Sequence, residues 1–116
     1  MERFNNMTIN DKGKIMLPKT LLQRAKWPKD VRIVASCIGK VCILQSIHHF
    51  SLDEKPVRFF ESEFFLEFIN ADIALDELGY VSLPLEMMTK LDMEVGDEIS
   101  IYFLGYGVIC LMRSYD

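Results

Sequence analysis

A chain of 116 residues, half of them hydrophobic and 26% charged, has room for one domain or two very small modules and is too apolar for a disordered class. No apolar run approaches the ~20 residues needed to span a bilayer, and the opening Met1-Glu2-Arg3-Phe4-Asn5-Asn6 has no apolar core of a signal peptide. The net charge of −4 hides a division: residues 1–58 hold eleven Lys and Arg against five Asp and Glu, whereas residues 59–116 hold two against twelve. One half suits a polyanion that the other repels; alternatively, opposite charges bring the halves or neighbouring subunits together.

In chain order, Met7 to Asn10 is β-prone and Asp11-Lys12-Gly13-Lys14 reads as a tight turn, with Gly13 supplying the positive φ. Ile15 to Leu17 returns as a strand. Pro18 then fixes φ for the start of a short helix whose Leu21, Leu22 and Ala25 share one apolar face, with Lys19, Arg24 and Lys26 elsewhere. Pro28 stops that helix near Trp27, which is expected to anchor in the core. Val31 to Ser36 and Val41 to Ser46 read as strands joined through Gly39.

Cys37, Cys42 and Cys110 are odd in number and lie in apolar strand-like runs, which favours reduced, buried thiols and a cytoplasmic location. His48 and His49 are adjacent and have no third ligand at a sensible spacing, so no metal site and no cofactor is expected. Ser51 to Glu54 has the form of a capping box. From Phe59 to Ile69, the stripe of Phe60, Phe64, Phe65 and Phe68 alternates with glutamates, which predicts an amphipathic helix serving as core or subunit interface.

Asn70 to Leu75 reads as a strand, Leu78-Gly79 as its turn and Tyr80 to Leu83 as its return. Pro84 opens a second short helix with Met87, Met88 and Leu91 as its buried face. Val95-Gly96-Asp97-Glu98 turns into a strand from Ile99 to Leu104, and Gly105-Tyr106-Gly107 turns into another from Val108 to Met112. Strand, turn, strand, Pro-led helix and hairpin therefore occur twice, at an offset of 66 that superposes Gly13 on Gly79 and Pro18 on Pro84. The plan divides the chain into a basic module at 1–50, a helical linker at 51–70 and an acidic module at 71–116, expected to form one intertwined domain.

The second copy carries a resemblance. G-Y-V-S-L-P, a short apolar helix, L-D-M-E-V-G-D-E-I-S-I-Y and then G-V-I-C-L resemble the SpoVT/AbrB-like swapped-hairpin superfamily, and D-K-G-K-I-M-L-P through G-K-V-C-I-L is a weaker form of the same pattern. Two such modules around an insert look most like the tandem-module MraZ family. The resemblance implies a mainly β (α+β) fold, a tandem swapped-hairpin (double-split) β-barrel with short Pro-led helices, in which Gly13, Pro18, Gly79, Pro84, Gly96 and Asp97 set turns and helix starts. It also implies a homo-oligomeric regulator of transcription that binds double-stranded DNA at repeated sites, cytoplasmic and nucleoid-associated.

Matched onto this chain, the DNA-binding positions are Lys12, Lys14, Lys19 and Arg24, and Lys26 belongs to the same basic run. In the second copy Leu78 and Tyr80 replace Lys12 and Lys14, so that copy reads as architectural. Two other readings stand beside this one. The first is a structural or protein-interaction module that kept the barrel and lost DNA, its acidic half meeting a basic partner. The second is an antitoxin-like regulator. No arrangement of catalytic residues is found, and Gly105 and Gly107 lie between strands rather than before a helix, so an enzyme is not expected.

Overall fold

The computed structural model describes residues 2–27, 31–46 and 69–114. They form eight strands and two helices: β1 (Glu2–Thr8), β2 (Lys14–Met16), α1 (Lys19–Ala25), β3 (Arg32–Ile38), β4 (Val41–Ser46), β5 (Ile69–Ala74), β6 (Tyr80–Ser82), α2 (Leu85–Leu91), β7 (Glu98–Gly105) and β8 (Val108–Arg113). The expected amphipathic helix, with Phe60, Phe64, Phe65 and Phe68, lies outside the described residues, as do the capping box and the His48-His49 pair. Ile69, read as the end of that helix, begins β5 instead.

Each half repeats the same local chemistry. Asn10 Oδ1 accepts from the backbone N–H of Lys12 (3.0 Å) and Lys14 (2.9 Å), which bends the chain through Gly13 at φ +76°. Asp76 Oδ1 does the same for Leu78 and Tyr80, both at 2.9 Å, with Gly79 at φ +90°. A short side-chain acceptor thus replaces a backbone partner and fixes the turn. Pro18 and Pro84 sit at the N-caps of α1 and α2 with ψ of 141° and 148°, still extended, and the helices begin at the next residue. Both helices are only seven residues long and too short to stand alone, so packing of Leu21 and Ala25, and of Met87, Met88 and Leu91, must hold them. Each ends on a residue in the left-handed region, Lys26 (φ 57°) and Asp92 (φ 60°).

The two halves exchange strands. The main sheet has the order β1-β7-β8-β4-β3-β5, so β1 of the first half pairs with β7 of the second and β5 of the second pairs with β3 of the first. The central contact, β4 with β8, also joins the halves. One face of this sheet, with Ile33, Ala35, Cys37, Cys42, Leu44, Ile99, Ile101, Ile109 and Leu111, forms the main core with both helices and with Ile15 and Val81. Trp27 is buried there, and its indole Nε1 donates to the Gly107 carbonyl at 2.9 Å, tying the end of α1 to the β7–β8 turn. The opposite face carries a smaller cluster around Ile43 and Cys110.

Among the described residues no sheet closes into the expected β-barrel. A barrel needs one sheet to close on itself without edges, whereas here β1 and β5 are the two edges of an open six-stranded sheet. The strands β2 and β6 form a separate two-stranded ribbon, pairing Lys14 with Ser82, Ile15 with Val81 and Met16 with Tyr80. Local chemistry explains the opening. Each ribbon strand has only three residues between its turn and the proline-led helix, so it satisfies its partner across the ribbon. Beyond the ribbon, an isolated Leu75–Val81 bridge joins the end of β5 to β6. In β1, Asn5 and Asn6 oppose Ser100 between the Phe4–Ile101 and Met7–Ile99 pairs, a bulge that bends this edge.

Candidate nucleic-acid interface

The five expected DNA-binding cations occupy two elements. Lys12 and Lys14 belong to the first turn and β2, while Lys19, Arg24 and Lys26 belong to α1 and its left-handed cap. Lys12, Lys19, Arg24 and Lys26 are exposed and Lys14 is half-buried. The local reasons are clear: with Ile15, Leu21 and Ala25 turned into the core, the alternation of β2 and the period of α1 leave the charged residues outside.

The second half meets these cations with acid. Lys14 Nζ lies 3.8 Å from Asp76 Oδ2, across the β2–β6 ribbon. Arg24 Nε donates to an acid of its own half, Glu2 Oε1 at 3.0 Å, and from the second half it meets the Phe103 ring, whose centre lies 5.7 Å from the guanidinium. The tip of the first turn, Asp11-Lys12-Gly13, borders the groove that α2 forms with Asp92, Met93, Glu94 and Val95. On the other side a methyl on Gly79 would lie 3.8 Å from Leu22 of α1, so the acidic Asp76-Glu77 turn sits beside the basic helix. Each basic element of the first half therefore neighbours an acidic element of the second.

The Asp76 carboxyl is held below the usual carboxylate range, first by the Tyr80 N–H, with Leu78, Gly79 and Lys14 adding to the effect. Burial pushes all three thiols up, Cys110 to about 11. They stay protonated at neutral pH and pack as small apolar groups. The remaining expected residues act on the backbone. Gly96 takes φ +91° and its N–H donates to the Ile9 carbonyl at 2.9 Å. Asp97 accepts from the Glu94 N–H through Oδ2 at 2.8 Å, and its carbonyl accepts from the Ile9 N–H at 3.0 Å.

Three partners escaped the sequence reading: Glu2, Asp76 and Arg113. Glu2 and Arg24 are joined only through the exchanged β1, for which linear spacing holds no signal. Asp76 could have been found, because pairing the two repeated strands about Ile15 and Val81 brings its turn to Lys14. Arg113 binds Asp92 Oδ2 at 3.2 Å and Asp97 Oδ2 at 3.5 Å, which locks the loop after α2.

Among the described residues no group of three or more His, Cys, Asp or Glu could hold a metal ion, and no helix is long and apolar enough to cross a membrane. Neither a known family nor a curated protein matches this chain.

Proposed function

We propose that the protein is a DNA-binding regulator of transcription, acting in the cytoplasm as a homo-oligomer and contacting phosphates through Lys12, Lys14, Lys19, Arg24 and Lys26. The observation that carries this reading is that all five cations reach the surface from two adjoining segments of one half, none of them buried. Their ion pairs do not remove them from play. The Arg24–Glu2 pair is 61% and 46% exposed, and such pairs are worth only about 0–1 kcal/mol. A phosphate can displace the carboxylate. Contacts of this kind supply affinity and salt dependence, and a repeated array of them in an oligomer adds avidity.

A second reading, a protein-interaction module, draws on the placement of acid beside each basic element. Selection from a random DNA pool at two salt concentrations separates the two. Enrichment of a short repeated motif, with binding that falls steeply as salt rises, supports the regulator. Retention of no DNA even at low salt refutes it.

A further inference from the structure

The turn at Asp11-Lys12-Gly13 and the helix α2 enclose a groove of about 650 Å³. Its floor is Leu83, Met88 and Met93, all buried, while Leu85 and Val95 line it at 80% and 56% exposure. These two aliphatic side chains are grouped at one concavity over an apolar floor rather than scattered singly, which is the arrangement of a contact surface. The polar wall is acidic. Asp11, Asp92 and Glu94 stand against a single Lys12. Asp92 is engaged by Arg113, but Asp11 and Glu94 form no ion pair among the described residues.

We propose that this groove docks a short basic peptide segment of a partner protein. An aliphatic side chain of the segment packs between Leu85, Met88 and Val95, and its lysine or arginine side chains meet Asp11 and Glu94. Charge selects the class of occupant. A nucleic acid or phosphate would face three carboxylates for one ammonium, and an uncharged apolar molecule would leave the two unpaired carboxylates unused. The volume lies in the range that holds a few side chains and their backbone. The groove shares Lys12 with the DNA reading, but that reading also stands on Lys14, Lys19, Arg24 and Lys26, which do not line it, so a peptide-binding test can fail without affecting it.

The test uses the full chain and a fluorescein-labelled short peptide of alternating lysine and leucine. Matched peptides carry glutamate in place of lysine, or serine in place of leucine. The lysine–leucine peptide is expected to bind at least about tenfold more tightly than either. Replacing both rim residues, Leu85→Ser with Val95→Ser, is expected to weaken it about tenfold, since two exposed contacts are lost without touching the core. Glu94→Lys should weaken it several-fold, and Glu77→Lys, which does not line the groove, should leave it unchanged. Equal binding of the lysine and glutamate peptides overturns the proposal. So does wild-type affinity in both the rim variant and Glu94→Lys, which would mean diffuse attraction to the acidic half.

Discussion

The two halves of the chain follow one backbone plan with opposite surfaces. Asn10 and Asp76 close their turns with the same pair of hydrogen bonds, and Lys26 and Asp92 end their helices in the same left-handed conformation. Leu21 and Met87 occupy equivalent places in the core, both fully buried. Outside these positions the halves diverge: Lys12 and Lys14 of one turn stand where the other has Leu78 and Tyr80. The edges diverge too, since β1 carries a bulge at Asn5-Asn6 whereas β5 pairs with β3 in unbroken register. A few turn, cap and core positions are enough to hold the plan, and the outward positions are free to take opposite charge.

The comparison breaks first in the core. Leu21→Ala and Met87→Ala should each cost about 2–5 kcal/mol in urea unfolding, because each leaves a cavity in a shared core. If one costs much less than the other, the halves are not equivalent supports. The turns sharpen it next. Gly13→Ala and Gly79→Ala should cost similar amounts, about 1–2 kcal/mol each for their positive φ, since the nearest atom to a methyl at Gly79 is the Leu17 carbonyl oxygen at an ordinary 3.4 Å and nothing lies within 4 Å at Gly13.

Side-chain acceptors in the turns give a test in pH. Asn10→Ala should cost about 1–2 kcal/mol at any pH between 3 and 7 for its two backbone bonds. Asp76 differs, because its folded-state pKa is depressed. Its contribution is fully present above the unfolded carboxyl pKa of about 4 and is lost as the pH falls through the lower folded value. The destabilisation by Asp76→Ala should therefore shrink with acid, whereas that of Asn10→Ala should not. The smallest effect belongs to Glu2→Gln. It should change stability by no more than about 1 kcal/mol, yet it frees Arg24 and should tighten DNA binding.

Much of this fold was legible in the sequence, because glycine, proline and apolar spacing act locally. The turns at Gly13 and Gly79, the helices behind Pro18 and Pro84 and the buried Trp27 all follow from such signals. Closure of the sheet was not legible. Whether β2 and β6 join a barrel or form their own ribbon depends on long-range pairing, which alternation of side chains along a strand does not report. The candidate site shows the same limit. The run from Lys12 to Lys26 is plain in the sequence, but Glu2 and Asp76 reach Arg24 and Lys14 only because strands cross between the halves.

The central claim is that the first half grips DNA, and it is tested by fluorescence anisotropy of a labelled random-sequence duplex across a salt series. The wild-type protein should bind at low salt, and Lys14→Ala with Arg24→Ala should weaken it while reducing the slope of log affinity against log salt by about two. Undiminished affinity and slope in the double variant, or no binding by the wild type at low salt, would contradict the account.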